Sequence, residues 1–440
     1  MPLNVCEVPY LSSTEQLLSN LKHLPYLVAL ESGGATHENG RWSIISANPS
    51  ETWSMTSYEQ KDQLKTQLKR LSNIIPHNHS ELPFSGGVIG LLNYDLGELA
   101  IKQNTPWSSQ GPLAFIGVYA WSYLFDHEAR KGYCIHWPEY SLESFETIKA
   151  LHPELNPEIT RKYKPVEFKI TQEIKADWSL TEYAQRFDRV KRYINEGDCY
   201  QINLTQRFRG KYTGHALAAY HRLKQCGQAP FSTYFDLGDT QLASASPELF
   251  IAYENGIATT KPIKGTRPIS QNSEQDALNK QELANSEKDK AENVMIVDLL
   301  RNDLSKHATH VRVEKLFNIE TFKTVHHMVS TIRADVETNK VADLLLDAFP
   351  GGSITGAPKT RAMEIIKELE DRPRSYYCGT CFYMSSNEKM NSNILIRSFV
   401  FNKGEVACWA GGGIVADSTM EAEHQESLDK ISRLISSLSL

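Results

Sequence analysis

The chain contains the stretch Lys261-Pro262-Ile263-Lys264-Gly265-Thr266-Arg267-Pro268. Its two prolines restrict the backbone of this stretch. Proline fixes φ, and the glycine lets another group approach the backbone closely. The residues before it, 249–253 and 257–260, are β-formers separated by Glu254-Asn255-Gly256, a sequence typical of a hairpin turn. We therefore predict that Lys264 lies on a rigid loop directly after a strand, where its amine is held still. For any single lysine, a solvated loop position is the alternative.

Size and composition indicate an ordinary globular protein, with 440 residues, 40% hydrophobic and 23% charged. The net charge of −6 argues against nucleic acid as a partner. No run approaches the ~18 apolar residues of a membrane span, and the N-terminus lacks the charge-then-apolar pattern of a signal peptide. Seven scattered cysteines suit a reducing compartment. We expect a cytoplasmic enzyme that uses no membrane.

The chain divides into two regions by composition. Residues 1–165 are predicted to be β-rich and include a glycine-rich strand at 84–95, while residues 175–440 hold most of the motifs. A segment rich in proline and charge connects them. The aromatic-rich residues 376–383 are typical of a strand. We expect the two regions to interleave in one α/β body.

Two helix starts carry a capping signature. Ser179 with Glu182 forms a capping box, and Gly197 supplies the stop of that helix. Ser418 with Glu421 is predicted to begin a C-terminal helix in the same way. Both helices carry apolar residues at helical spacing, so each is predicted to bury one face.

Two acidic pairs occur at helical spacing. Asp289 and Glu292 lie in a helix predicted over 282–300, and Glu423 and Glu426 lie in the C-terminal helix. Residues at i and i+3 share a helix face. One such pair is typical of a solvated face, whereas two beside buried residues are also consistent with a hard cation such as Mg²⁺. Spacing alone leaves both interpretations open.

Two glycine-rich segments, 350–359 and 410–415, are further candidates for a binding site. The first precedes a predicted helix, whose free N–H groups suit an anion. A phosphate-binding loop of the Walker type is excluded, because Ala357-Pro358 stands where Lys-Ser/Thr is required. The second is another place where backbone could meet a carboxylate.

Taken together, these motifs resemble the chorismate-utilising enzymes, which include anthranilate, isochorismate, salicylate and aminodeoxychorismate synthases. The matching segments are spread over residues 180–440 and stand at 246–248, 262–267, 299–303, 352–359 and 410–418. Residues 30–32 and 84–95 match more loosely. Lys264 resembles the aminodeoxychorismate synthase branch, because the anthranilate synthases carry alanine at that position.

The resemblance implies a fold and a reaction. The fold is α+β, with two face-packed antiparallel β-sheets flanked by helices and the active site in a deep cleft. The reaction converts chorismate and ammonia to 4-amino-4-deoxychorismate, on the route to p-aminobenzoate and folate. Anthranilate synthase component I is the alternative. A non-catalytic regulatory relative is a more remote one, against which the intact Glu248, Lys264, Glu292 and Glu426 argue.

The resemblance also implies roles for individual residues. Lys264 attacks the substrate ring as a nucleophile, and Glu248 is the general acid for the leaving hydroxide. Glu292 and Glu426 are the expected direct ligands of Mg²⁺, supported by Asp289 and Glu423. The expected substrate-binding residues are Gln201, Thr266, His327, Ser353, Tyr383, Arg397, Gly411, Gly412 and Gly413.

The source of nitrogen and a possible regulator complete these expectations. The sequence has no Gly-x-Cys-x-Gly nucleophile motif of a glutaminase. We therefore expect ammonia to come from a separate glutamine amidotransferase subunit. Ser32, in the segment Leu30-Glu31-Ser32, stands where relatives bind tryptophan between the sheets, so a tryptophan site is a further hypothesis. Gln201 stands where the hydroxylating relatives carry a lysine base, which disfavours isochorismate chemistry.

Overall fold

The structure is a computed structural model that describes residues 2–33, 40–101, 111–322 and 325–439. The strands are β1 (Asn4–Val8), β2 (Val28–Glu31), β3 (Trp42–Ser46), β4 (Glu51–Met55), β5 (Gly87–Leu92), β6 (Ala114–Tyr119), β7 (Trp121–Asp126), β8 (Lys131–His136), β9 (Phe168–Ala176), β10 (Gln201–Gly214), β11 (Phe231–Asp236), β12 (Thr240–Ser246), β13 (Leu249–Glu254), β14 (Ile257–Lys261), β15 (Ile263–Pro268), β16 (Thr309–Thr321), β17 (Val325–Asp335), β18 (Gly356–Ala357), β19 (Thr380–Ser385), β20 (Met390–Asn393), β21 (Ser398–Asn402) and β22 (Glu405–Ile414). The helices are α1 (Glu15–Leu21), α2 (Lys61–Ser72), α3 (Phe145–Ala150), α4 (Pro157–Lys162), α5 (Leu180–Asn195), α6 (Ala216–Gly227), α7 (Ser273–Asn285), α8 (Glu287–Ser305), α9 (Val341–Ala348), α10 (Lys359–Glu370) and α11 (Met420–Leu438).

The strands form two antiparallel sheets. The first has the order β1-β8-β7-β3-β2-β11-β12-β21-β22-β10-β18, and β9 also pairs with β10. The second has the order β15-β17-β14-β13-β20-β19-β5-β6-β4, and β16 also pairs with β17. Each sheet takes strands from both ends of the chain. The first, for example, places β2 from the N-terminal region beside β11.

The sheets pack face to face, and alternation along the strands explains how. In β2 and β3, Val28 and Ile44 belong to the core between the sheets, while their neighbours Ala29 and Ile45 belong to the core under the helices. Successive side chains of a strand point to opposite faces, so a strand covered on both faces is apolar throughout. The predicted pair of face-packed sheets flanked by helices is confirmed.

Helices cover the outer face of each sheet. α1, α6 and α11 bury their apolar sides on the first sheet, and α5 packs with α10 beside β10. α2, α8 and α9 belong to the large core that includes the second sheet. Within the described residues, no helix is long and apolar enough to cross a membrane.

Local sequence signals give the expected local structure. Asn255 and Gly256 both have positive φ, 52° and 79°, and they join β13 to β14. The two-residue hairpin turn requires this conformation at both positions. Ser179 and Glu182 form the predicted capping box at the start of α5. Both predictions are confirmed, because each depends only on residues adjacent in the chain.

Lys264 lies in a strand, not on the predicted loop. β15 pairs with β17, and the register shifts between Ile263 and Thr266, where Gly265 has φ 79°. This is a β-bulge, a feature that re-aims side chains beside functional sites. The sequence prediction was wrong because the partner strand is distant in the chain.

Two helix boundaries also differ from the prediction. The helix predicted over 282–300 is interrupted at Ser286, whose backbone is extended and whose Oγ accepts the N–H of Asp289 as the cap of α8. α11 begins after Thr419, and Ser418 does not cap it. Its hydroxyl instead donates to Glu423 at 2.6 Å. In the first case, the cap formed by Ser286 separates two helices where one was predicted. In the second, the bond from Ser418 to Glu423 takes the place of the predicted cap.

Candidate active site

A cleft of about 510 Å³ lies where the two sheets meet two helices. Its walls come from β15 and β17 of the second sheet, β10 and β22 of the first, and the helices α8 and α11. Most of the predicted site residues line it, although they are far apart in sequence. They are Glu248, Lys264, Thr266, Asp289, Glu292, His327, Ser353, Arg397, Gly411, Gly413, Glu423 and Glu426.

Glu248 is held in the cleft between β12 and β13. Its own N–H donates to Ser246 Oγ at 3.2 Å, and its carbonyl accepts the N–H of Ile394 at 3.1 Å. The hydroxyl of Ser353 donates to Glu248 Oε1 at 2.7 Å. The carboxyl is 6% exposed, and this burial raises its pKa against the opposing effects of Ser353 and Lys264. A carboxyl group with a raised pKa suits proton donation near neutral pH.

Lys264 lies among carboxylates without being paired to one. Its charge lowers the pKa of Glu248, Glu292 and Glu426, so its amine is within electrostatic range of all three. Within the described part of the chain, no carboxylate lies at ion-pair distance from it. The amine is therefore available to a ligand in the cleft.

Both acidic pairs line the cleft, and two lysines contact the second pair, Glu423 and Glu426. Lys430 Nζ is 2.7 Å from Glu426 Oε1 and also donates to the carbonyl of Gly411 at 3.0 Å. Lys288 Nζ is 3.7 Å from Glu423 Oε1. Although burial opposes it, Lys430 holds the pKa of Glu426 below its ordinary value. Burial raises the pKa of Glu292.

The chemistry of these carboxylates fits Mg²⁺, but they do not form a closed cage. In the described ranges, no three of His, Cys, Asp and Glu converge closely enough to hold a metal ion by themselves. Asp289 also forms an ion pair with Arg267, whose Nη2 is 3.4 Å from Asp289 Oδ2. Mg²⁺ commonly uses only one or two protein carboxylates, with water and substrate completing its shell. An open wall with four carboxylates suits that mode.

Arg397 and the Thr266–His327 pair form the remaining polar wall. Arg397 has φ 53°, and burial lowers its pKa from the ordinary value. Among the described residues, no carboxylate lies at ion-pair distance from its guanidinium. Thr266 Oγ1 and His327 Nδ1 are 2.8 Å apart on paired strands. Arg397 is thus a cation positioned to receive an anion.

The glycines of β22 are required by close packing on both sides. A Cβ on Gly412 would lie 2.7 Å from Glu423 Oε2, and one on Gly413 would overlap the amide of Gln201. A larger residue at Gly412 or Gly413 would displace the side chain of Glu423 or Gln201, and at Gly411 a Cβ would overlap the backbone carbonyl of Leu204 in β10. The run therefore brings the acidic helix to the cleft, in addition to exposing backbone at Gly411 and Gly413.

Four predicted residues do not line the cleft. Gln201 is buried behind Gly413, and Gly412 packs against the side chain of Glu423. Ser32 lies just after β2 and donates its hydroxyl to the carbonyl of Gly40 at 2.5 Å. Tyr383 is separated from the site altogether, because alternation along β19 turns it with Cys381 towards a second cavity. Its assignment to substrate binding is not supported by this geometry.

The cleft residues that were not predicted include Asn203, Lys288, Tyr377, Trp409 and Lys430. Two of them carry a sequence signal, since Lys288 precedes the first acidic pair and Lys430 follows Glu426 at i+4. Tyr377 stacks on Trp409, with ring centroids 6.0 Å apart and planes 11° apart. Tyr377 lies before β19, so the strand predicted over 376–383 begins later in the structure, at Thr380.

The second cavity, of about 280 Å³, lies between the sheets. Its lining includes Leu30 and Glu31 from the segment associated with tryptophan, together with Trp42, Phe231 and Tyr383. The carboxylate of Glu31 already has partners within the protein, since it accepts hydrogen bonds from Lys224 at 2.9 Å and from Tyr220 at 2.8 Å. This cavity is smaller than the cleft and more aromatic.

Comparison with known proteins agrees with this site. The model of the chorismate binding enzyme family matches residues 28–436. The chain is 40% identical to aminodeoxychorismate synthase component 1 of Klebsiella aerogenes, covering 97% of this chain and 96% of that protein. It is 39% identical to the protein of the same name from Escherichia coli, covering 97% and 96%.

A solved structure is also similar. Anthranilate synthase component I from Streptococcus pneumoniae superposes with a TM-score of 0.77 at 29% identity, covering 91% of this chain and 93% of that one. The family model, which matches residues 28–436, includes every residue that lines the cleft. By sequence and by fold, the chain belongs to the family of chorismate binding enzymes.

Proposed function

We propose that the protein is the synthase component of an aminodeoxychorismate synthase and converts chorismate and ammonia to 4-amino-4-deoxychorismate and water. The observation that carries the proposal is the place of Lys264, in one cleft with Glu248 and two acidic pairs. Relatives with this name share about two fifths of their residues with the chain. The anthranilate synthase structure is less similar in sequence.

The proposed chemistry has two steps. In the first, the neutral amine of Lys264 forms a bond to C2 of chorismate, the C4–O bond breaks, and Glu248 protonates the departing hydroxide, which leaves as water. In the second, ammonia attacks C4 and the bond between C2 and Lys264 breaks, which returns the amine to the enzyme. A proton from the new ammonium group restores Glu248. The sum is chorismate plus ammonia to product plus water.

The remaining cleft residues would bind and orient the substrate. Arg397 suits one carboxylate of chorismate, because a guanidinium binds a carboxylate through two parallel hydrogen bonds. Lys288 and Lys430 offset the acidic wall. Glu292 and Glu426, with Asp289 and Glu423, would hold Mg²⁺, which would supply positive charge beside the other carboxylate. The stacked Tyr377 and Trp409 form a flat apolar surface that suits a ring.

We propose that ammonia comes from a glutamine amidotransferase partner. The name "component 1" of the relatives supports a second component. The buried cysteines of this chain are unsuited to glutamine hydrolysis, since burial raises the pKa of Cys199 to about 11 and that of Cys408 further still. A thiol must ionise to act as a nucleophile.

The second cavity is proposed as the tryptophan site. Its position beside Leu30 and Glu31, and its aromatic lining from Trp42 and Phe231, support an indole ring as the occupant. Ser32 directly follows Glu31 but does not line the cavity, and its buried hydroxyl donates to the carbonyl of Gly40. A tryptophan bound there would lie between the sheets and away from Lys264.

A product assay tests the main proposal. The purified protein is incubated with chorismate, Mg²⁺ and ammonium, and the products are separated and identified by mass. We expect 4-amino-4-deoxychorismate as the product. When a glutaminase partner is added, we expect glutamine to serve as the nitrogen source in place of ammonium. Formation of anthranilate, which is seen by its fluorescence, would instead assign the protein to the anthranilate synthases.

A further inference from the structure

One guanidinium outside the cleft connects α10 to two segments that line the cleft, β10 and the turn at 352–355. Arg374 follows α10, is 1% exposed and does not line the cleft. Its Nε and Nη2 donate to the two carboxylate oxygens of Glu370 at 2.8 and 2.6 Å. Nη1 donates to the carbonyl of Ile354 at 2.9 Å, and Nη2 also donates to the carbonyl of Asn203 at 2.6 Å. Both acceptor residues line the cleft.

The carboxylate of Glu370 ties the same group to β10. Its Oε1 accepts the N–H of Thr205 at 2.9 Å and the hydroxyl of Thr205 at 3.0 Å. Asn203 adds a cross-link, because its Nδ2 donates to the carbonyl of Ile354 at 3.0 Å. Its own N–H donates to the carbonyl of Thr355 at 2.8 Å. The turn at 352–355 is thus held from α10 and from β10.

Ser353 presents its hydroxyl to the cleft from this turn. It directly precedes Ile354, the residue held by Arg374, and its hydroxyl donates to Glu248 at 2.7 Å. On the other side, a Cβ on Gly352 would lie 2.5 Å from the side chain of Leu299 in α8. The turn therefore has little freedom to move while the bonds of Arg374 are intact.

We propose that the buried Glu370–Arg374 pair positions Ser353 and, through it, the carboxyl group of Glu248. Arg374 acts as a positioning residue, since it touches neither the cleft nor a reacting atom. The proposal rests on the proposed function in that Glu248 acts as the proton donor. Only arginine satisfies the carboxylate and two carbonyls at once, because its planar fork carries five N–H donors in fixed directions.

A double-mutant cycle tests the proposal. The variants are Arg374→Lys, Ser353→Ala and their combination, each measured for kcat and KM with whichever chorismate product the wild type forms. We expect kcat to fall about tenfold in each single variant, because small displacements of catalytic groups are costly. The double variant should resemble Ser353→Ala within about twofold, since Arg374 acts through Ser353. KM for chorismate should change less than kcat.

A matched control separates positioning from simple stability. Lys367, also on α10, forms a buried ion pair with Glu98 at 2.7 Å. Lys367→Met should lower Tm and leave kcat unchanged. If Arg374→Lys lowers Tm but keeps the wild-type kcat, or if the two losses multiply in the double variant, the proposal is wrong.

A second variant covers failure to fold. If Arg374→Lys yields no folded protein, Glu370→Gln removes the charge while keeping the shape, and the same cycle with Ser353→Ala is measured. The identity of the wild-type product is a separate result. Formation of anthranilate would overturn the proposed function, whereas the cycle would still be measured on that product and would decide the role of Arg374.

Discussion

The cleft and the second cavity differ in how their charged groups are neutralised. In the second cavity, Glu31 is bound by Lys224 and Tyr220, and Arg41 is bound by Asp126 at 2.7 Å. In the cleft, Lys264 and Arg397 have no carboxylate at ion-pair distance among the described residues. Buried charges are normally paired. Unpaired cations in a cavity are therefore a sign that a ligand supplies the partner.

The difference separates a site built for a charged substrate from one suited to a ligand with a large apolar group. The cleft holds cations and carboxylates that can exchange partners: Lys288 and Lys430 now contact Glu423 and Glu426. The second cavity holds charges that already have partners. A ligand bound there would therefore gain its binding free energy mainly from apolar contact with side chains such as Trp42 and Phe231. Substitutions in the two cavities should therefore affect different measurements.

The largest effect is expected for Lys264→Ala. Turnover should fall by about 10⁴-fold or more, because the nucleophile is removed. The matched control is Lys261→Ala, on the neighbouring strand β14 beside Glu320, and it should keep nearly the wild-type rate. Both variants are measured by steady-state product formation. Equal rates in the two variants would contradict the covalent step.

Glu248→Gln should reduce kcat by about 10²- to 10⁴-fold, the usual contribution of a general acid. Burial raises the pKa of Glu248, so the acid form persists to higher pH than for an ordinary glutamate. The wild-type kcat should be high below this pKa and fall as pH rises through it. In Glu248→Gln this alkaline limb should disappear. A pH profile of kcat for both proteins checks the assignment, and an unchanged limb would refute it.

Arg397→Lys should raise the KM for chorismate by about 10- to 100-fold, since a bidentate carboxylate contact is lost. The corresponding change in the second cavity, Arg41→Gln, breaks the ion pair with Asp126 and should leave KM unchanged. Initial rates over a range of chorismate concentrations distinguish the two. A similar KM for Arg397→Lys and the wild type would remove Arg397 from the substrate site.

The smallest effect is expected for tryptophan in the second cavity. At about 100-fold excess over Kd, binding should raise Tm by about 3 °C for a chain of this size. Lys264→Ala, which is altered only in the cleft, should show the same shift. Thermal unfolding with and without tryptophan provides the measurement. A Tm that does not change at saturating concentrations would reject tryptophan as the occupant.

Sequence reasoning succeeded where a residue acts on its chain neighbours or belongs to a continuous motif. The Asn255-Gly256 turn and the Ser179–Glu182 capping box depend on two to four adjacent residues. Glu248, Lys264 and the acidic pairs were found because each lies in a recognisable segment. The fold followed from the family resemblance, and the observed pair of antiparallel sheets agrees with it.

Sequence reasoning failed where orientation depends on a distant partner. Tyr377 and Tyr383 lie in the same aromatic-rich segment, yet one lines the cleft and the other the second cavity. In one continuous strand these two side chains, six residues apart, would share a face, but β19 begins only at Thr380 and Tyr377 lies in the turn before it. Ser418 likewise bonds to Glu423 instead of capping its helix.

By itself, the amino-acid sequence determined the chemistry available to this protein: a lysine and a glutamate in fixed motifs, two acidic pairs and two glycine-rich segments. Only the tertiary structure decided which groups share one cavity, that Lys264 lies in a bulged strand, and that Arg374 holds the turn of Ser353 from outside. The physical reason is the range of the interactions. Turns and caps form between neighbours in the chain, whereas burial, register and ion pairing are set by residues that meet only when both sheets are assembled.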